Sequence, residues 1–236
     1  MNPEKTVKLA DYIFDYIKKL GVKDVFMLSG GGCMHLCDSL GRSGLNYICC
    51  LHEQGATIAA LAYSQYKNDF GVALVTTGPG STNAVTGVAG AWAESAPLII
   101  VSGQVKTADI SGASGVRMLG FQESPTVEIV KPVTKYAVTV KNPQEIKYHL
   151  DKAVYIAKSG RPGPVWIDIP LDVQAAKINP DRLKGFKPVK ASSRSLKQEA
   201  RKIISMIERS QRPVIMAGYG IRLSGAVNDF FKLVKM

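Results

Sequence analysis

The chain has 236 residues, long for one domain and short for two complete α/β domains. With 46% hydrophobic residues it can bury a sizeable core, and no apolar run approaches the about 20 residues that span a membrane, so neither disorder nor membrane insertion is expected. Net charge is +11 but uneven: residues 180–236 carry 13 Lys/Arg against 4 Asp/Glu, and residues 1–179 carry 17 against 15. The C-terminal cations are scattered, without a cluster or interleaved aromatics. That pattern favours a solvated linker, or a surface that meets something acidic, over nucleic acid. Met1-Asn2-Pro3-Glu4 opens no signal-peptide pattern, so the expected location is the cytoplasm.

Apolar residues at Val7, Leu9, Ala10, Ile13, Phe14, Ile17 and Leu20 have helical spacing, and Gly21 stops that helix. Val25–Leu28 reads as a short buried strand running into Ser29-Gly30-Gly31-Gly32, where backbone can approach a ligand closely. A helix over about 34–40 and a turn at 41–44 lead to the strand Asn46–Leu51. From Glu53 a thin, alanine-rich helix runs to about Lys67. Val72–Thr76 is the next strand, and Ser81 or Thr82 is expected to cap the helix that follows, which reaches Glu94. Pro97–Val101 is a fourth apolar strand, ending in Ser102-Gly103-Gln104.

Residues 104–125 form a long polar connection with Gly112, Gly115 and Gly120, of the kind that is functional or mobile. A short helix near 123–130, a strand near 135–140, an amphipathic helix over Pro143–Ser159 and a strand over Pro164–Ile169 follow. Strands alternating with helices imply an α/β fold: a six-stranded, mostly parallel sheet with helices on both faces, closing near residue 178. Residues 179–193 read as a linker. Residues 194–236 read as the truncated start of a second α/β domain, with a helix at Ser195–Ser210, a strand at Pro213–Ala217 and a helix at Gly225–Val234. A lone βα unit cannot bury its own face, so the chain is expected to be part of a longer one.

Cys33, Cys37, Cys49 and Cys50, with His35 and His52, raise a zinc reading. No Cys-x-x-Cys pair exists; Cys33 and Cys37 share a helix face, and Cys49 and Cys50 point to opposite faces of a strand. Reduced core thiols are the expectation, and no metal site is assigned to this chain. Gly218-x-Gly220 and Gly30-Gly31-Gly32 both fail the dinucleotide fingerprint, whose third glycine is replaced by Leu223 and His35.

The informative stretch is Ile48–Thr57, where an apolar strand ends in His52-Glu53-Gln54-Gly55 and a helix begins at once. Ligands of open α/β sheets bind beyond the carboxyl ends of the strands. Glu53 is therefore well placed for function, although a first-turn acid also simply complements a helix dipole. Glu53, Gly78-Pro79-Gly80 and Gln104 lie beyond the ends of three strands. One carboxylate, one rigid corner and one amide suit a neutral heterocycle better than a phosphate, because Pro79 removes a backbone donor.

The ordered series Val25-Phe26 with Gly30-Gly31, His52-Glu53-Gln54-Gly55, Gly78-Pro79-Gly80-Ser81-Thr82-Asn83, Gly103-Gln104-Val105, Phe121-Gln122-Glu123-Ser124-Pro125 and Ser159-Gly160-Arg161-Pro162-Gly163-Pro164-Val165 resembles the N-terminal, pyrimidine-binding domain of thiamine-diphosphate enzymes, and most of all acetolactate synthases. The resemblance covers about residues 5–178. It implies that Glu53 is the catalytic residue, hydrogen-bonding N1′ of the cofactor's aminopyrimidine and sharing a proton with it. Pro79 and Asn83 then match positions against the pyrimidine, and Gly31 and Gln122 match positions near the reacting centre. It further implies thiamine diphosphate with Mg²⁺ held by a domain absent from this chain, a 2-oxo-acid substrate such as pyruvate, a homodimer or tetramer, a role in branched-chain amino acid biosynthesis, and a fragment inactive by itself. The pattern departs at Leu28-Ser29, where Tyr-Pro is frequent, at Lys106, where Pro is usual, and at Gly120, where Ala is common. These positions surround the substrate pocket, so a related decarboxylase or lyase stays open as an alternative, as does a non-catalytic binding module.

Overall fold

A computed structural model describes residues 6–112, 114–188 and 196–235. The chain divides into two compact units, Met1–Pro188 and Val189–Met236.

The first unit begins with β1 (Val7–Lys8) and α1 (Leu9–Lys19), whose Leu9, Ala10, Ile13, Phe14 and Ile17 are fully buried. Then come β2 (Asp24–Met27), α2 (Met34–Arg42), β3 (Asn46–Cys49), α3 (Glu53–Lys67), β4 (Gly71–Val75), α4 (Pro79–Glu94) and β5 (Leu98–Gln104). After the long connection come α5 (Thr126–Val130), β6 (Tyr136–Thr139), α6 (Ile146–Lys158), β7 (Val165–Pro170), α7 (Leu171–Ala175) and β8 (Lys177–Ile178). The six-stranded sheet has the order β3-β2-β4-β5-β7-β6, and every pairing is parallel. The expected sheet is thus present, with helices on both faces. One core joins α1, α2, α6 and α7 to the sheet; the other joins α3, α4 and α5, with Trp166 of β7 fully buried in it.

Strand order creates the place where a ligand can bind. From β2 the chain moves outward to β3, then returns through α3 to lay β4 on the other side of β2. The crevice beyond the carboxyl ends of β2 and β4 is the topological switch point of the sheet. It is bordered by the turn after β2, at Gly30–Gly32, and the turn after β4, at Thr76–Gly80.

Several sequence expectations need correction. The strand before Glu53 is not buried: β3 is an edge strand with one neighbour, and all four of its residues are exposed. Consequently Cys49 is exposed and Cys50 half-buried, and Cys33 is the one thiol in the core; all four are free. Neither Ser81 nor Thr82 caps α4. The helix starts two residues earlier, at Pro79, after Gly78 in a left-handed turn (φ 59°), and Pro79 uses the first-turn position where a missing N–H costs nothing. Ser81 Oγ instead donates to Thr76 O at 2.7 Å, and Thr82 Oγ1 to Pro79 O at 3.2 Å. The amphipathic stretch from Pro143 opens with a 3₁₀ turn, Pro143–Glu145, before α6. Periodicity also missed the antiparallel pair β1–β8, which ties Val7 to Ile178; two-residue strands are too short to show alternation.

Of the 179–193 linker, residues 179–188 fall in the first unit: Leu183 is buried, Phe186 packs edge-on against Tyr148, and Phe186 N–H donates to Asp151 at 3.2 Å. Residues 189–193 lie outside the described residues. In the second unit, α8 (Lys197–Glu208), α9 (Gly220–Leu223) and α10 (Val227–Val234) are formed. Pro213–Ala217, expected as a strand, is not one: Val214 and Met216 are 93% and 95% exposed. Among the described residues of this unit there is no strand at all, and a segment without a neighbouring strand has nothing to pair its backbone.

Candidate active site

Glu53 is the first residue of α3 and only 7% exposed. His52 caps the helix through its side chain, Nδ1 accepting from Gln54 N–H at 3.1 Å, so the Glu53 carboxylate is free for another partner. That partner is Asn83 on the second turn of α4, whose Nδ2 donates to Glu53 Oε2 at 3.0 Å. A Cβ on Gly80 would stand 3.2 Å from Glu53 Oε1 and 2.5 Å from Thr76 Cγ2. The glycine therefore makes room for the carboxylate at the amino ends of two helices. Placement there satisfies the dipole reading of Glu53 and also leaves the acid at the switch point.

Thr76, which nothing in the sequence singled out, joins the two turns. A Cβ on Gly30 would meet its Cγ2 at 2.5 Å, and its Oγ1 accepts from Gly32 N–H at 3.0 Å. Its only sequence signal is a β-branched hydroxyl at the end of an apolar strand. Gly31 is different from its neighbours: it is exposed, and nothing lies within 4 Å of where its Cβ would be. Pro79 is exposed at the start of α4. Gln122 is exposed and held at φ 57°, with its carbonyl oxygen 2.2 Å from the position a Gly78 Cβ would take. Only glycine at 78 permits that approach. Glu53 and Asn83 are thus bonded to each other, Gln122 is brought to the Gly78–Pro79 corner, and Gly31 lines the other side of the Thr76 hub.

Gln104 does not join them. It is buried, and its amide is fully engaged: Oε1 accepts from Thr77 Oγ1 at 2.6 Å and Val105 N–H at 2.9 Å, while Nε2 donates to Ser124 O and Asp168 Oδ2, both at 3.2 Å. It anchors the 104–125 connection. The far end is gathered by Glu123, whose carboxylate accepts from Ser111 N–H, Ser111 Oγ and Leu119 N–H at 2.7–3.0 Å. At Gly120 a Cβ would lie 2.8 Å from Val105 Cγ1 and 2.9 Å from Asp109 O, so an alanine does not fit this loop.

The buried acid beneath the site is Asp168, which sequence reading also missed because it looks like one polar residue in an apolar strand. Parallel register sets it beside Ser102 and Thr139. It accepts from Ser102 Oγ at 2.6 Å, Thr139 Oγ1 at 3.0 Å and Gln104 Nε2, and Trp166 Nε1–H donates to Ser102 Oγ at 2.7 Å. Burial pushes its pKa from the usual 3.8 to about 6, against the lowering effect of those three donors. A raised acid pKa means that the folded chain holds a proton that the unfolded chain has lost. The benefit is full below about pH 4 and disappears as pH rises through about 6, and such a shift corresponds to about 3 kcal/mol. Asp168→Asn is therefore expected to flatten the stability profile between those values. The check is urea unfolding of both chains across that range, taking the difference between them. His149 must cancel in that difference, since burial lowers its pKa and it titrates in the opposite sense nearby. Parallel curves would mean that Asp168 is charged throughout.

A carboxylate paired to an amide, a glycine edge open to solvent and a rigid glycine-proline corner thus meet at the switch point of a parallel α/β sheet, where such sheets bind ligands. The chain belongs to the thiamine pyrophosphate enzymes, matching the family's N-terminal TPP binding domain over residues 7–129. It is 36% identical over 236 residues to the acetolactate synthase large subunit of Lactococcus lactis, covering 98% of this chain and 40% of that protein. A probable acetolactate synthase large subunit of Methanocaldococcus jannaschii is 37% identical, over 97% of this chain and 39% of its own. The chloroplastic acetolactate synthase of Arabidopsis thaliana is 34% identical, over 92% and 32%. The chain thus spans about two fifths or less of the curated relatives it matches. Among the described residues no helix is long and apolar enough to cross a membrane.

Proposed function

We propose that this chain is the pyrimidine-binding part of a thiamine-diphosphate-dependent carboligase that converts pyruvate to 2-acetolactate with loss of CO₂. The observation that carries the reading is the Glu53–Asn83 pair over the Gly80 gap at the switch point. Glu53 would hold a proton at N1′ of the aminopyrimidine, with Asn83 orienting the carboxylate and Pro79 at the mouth of the corner. Gly31 and Gln122 would border the space where the 2-oxo acid reacts. Bound thiamine diphosphate supplies the electron sink for cleavage beside a carbonyl.

Residues outside 1–236 are assigned the Mg²⁺ and diphosphate, which fits a chain covering 40% of its bacterial relative. Residues 194–236 are assigned to the start of a further domain. Beside Glu53, Leu51 is 102% exposed and Tyr47 and Ile48 are exposed as well. Such an apolar border supports a second subunit closing over the site, in a dimer or tetramer. Four free thiols fit a cytoplasmic protein.

The tight fit around Gly120, with Leu28 and Lys106, favours one second reading: a related carboligase or decarboxylase acting on a different 2-oxo acid. The test is turnover by the whole protein with thiamine diphosphate and Mg²⁺, comparing pyruvate with 2-oxobutyrate and bulkier 2-oxo acids. Acetolactate from pyruvate is expected. Decarboxylation of a larger acid with pyruvate left untouched would establish the second reading instead.

A further inference from the structure

We propose that Cys33 and Cys37 form a modification site: a dithiol that hydroperoxides oxidise reversibly to an intramolecular disulfide at the foot of the Gly30–Gly32 turn. The two Sγ atoms are 3.5 Å apart, already in contact, across the first turn of α2. Cys33 ends the 3₁₀ turn Gly31–Cys33 with φ −119° and ψ 21°, off the helical path, so its side chain is not confined to the spacing of two helix positions. A disulfide needs the sulfurs to close to about 2.05 Å, a movement of about 1.5 Å.

The two thiols differ in the way that a sensor pair requires. Cys37 is partly exposed and reachable by a small oxidant, whereas Cys33 is fully buried and shielded from direct attack. The hydrogen bond between them lowers the pKa of Cys37, while the same bond and burial raise that of Cys33. Cys37 is thus the nucleophile and Cys33 the resolving thiol. In the first step the Cys37 thiolate attacks a peroxide oxygen, the O–O bond breaks, and Cys37 sulfenic acid and hydroxide (or alkoxide) form. In the second, Cys33 sulfur displaces the sulfenic oxygen, the S–S bond forms, and the Cys33 proton leaves with that oxygen as water. The pair loses two electrons and two protons; the peroxide is reduced.

The bridge would act on the turn above it. Gly32 N–H is held by Thr76, Gly32 O accepts from Gln174 Nε2 at 2.7 Å, and a Cβ on Gly103 would lie 2.0 Å from that same oxygen. With Gly32 held on three sides, closure of the sulfurs displaces the Gly31 edge and the start of α2. Its effect on turnover rests on the role proposed for Gly31; formation of the bridge does not.

The test treats the chain with hydrogen peroxide, alkylates remaining thiols and digests at Lys and Arg. Arg42 separates the peptide holding Cys33 and Cys37 from the one holding Cys49 and Cys50. The expected result is loss of both alkylation sites from the first peptide together, restored by dithiothreitol. In Cys33→Ser, dimedone should trap Cys37 as the sulfenic acid. In Cys37→Ser, no bridge should form, and Cys33 should stay alkylatable once unfolded. The proposal is overturned if both thiols of the first peptide stay alkylatable after peroxide, or if Cys37 proceeds to sulfinic acid with Cys33 still reduced.

Discussion

Replacing Glu53 with Gln in the whole protein is expected to slow exchange of the thiamine C2 proton for deuterium by about 10²–10⁴-fold, the usual worth of a positioned acid or base. The fold should survive. A glutamine carbonyl can still accept from Asn83 Nδ2, and the space opened by Gly80 remains. What is lost is one negative charge at two helix amino ends, worth about 0.3–1 kcal/mol. The measurement is C2 exchange by NMR after an acid quench, with circular dichroism as the control for folding. An unchanged exchange rate in a folded variant would remove Glu53 from the chemistry and leave it the role of a helix-end acid.

The largest effect on stability is expected at Trp166. Its ring is fully buried in the core that α3, α4 and α5 form with the sheet, on β7 between β5 and β6. Truncation to alanine should cost about 3–5 kcal/mol, a large part of the roughly 5–15 kcal/mol that holds a domain together. It would also leave Ser102 Oγ without the indole N–H and loosen the donor nearest Asp168. Trp166→Phe keeps most of the ring and removes the hydrogen bond, for an expected loss of about 1–2 kcal/mol. Urea midpoints followed by circular dichroism distinguish the two. A loss below about 1 kcal/mol for Trp166→Ala would mean that the core repacks freely around this position.

Much of this protein was legible in its residues. Helical spacing from Val7 to Leu20 and the apolar runs at Val72–Thr76 and Pro97–Val101 identified elements because a long or fully buried segment leaves a period in the sequence. The Ile48–Leu51 run misled, because an exposed edge strand of apolar residues looks in sequence like a buried one. The strand expected at Pro213–Ala217 misled for a related reason: backbone pairing depends on a neighbour that the segment itself does not encode. Gln104 was placed at the right strand end but given the wrong partners. Whether an amide faces a ligand or a buried acid depends on Asp168, 64 residues away.

Local sequence alone determined that Glu53 starts a helix after a strand, that Gly78-Pro79 makes a rigid corner, and that the chain alternates strand and helix. Turn chemistry and hydrophobic period are short-range properties, written within a few neighbouring residues. Tertiary structure decided that β2 lies between β3 and β4, which opens the switch point and brings Glu53 to Asn83, 30 residues on. It also decided that Thr76 joins two glycine turns, and that Ser102, Thr139 and Asp168 share one buried network. Those contacts arise from strand order and register, which depend on the packing of all six strands together.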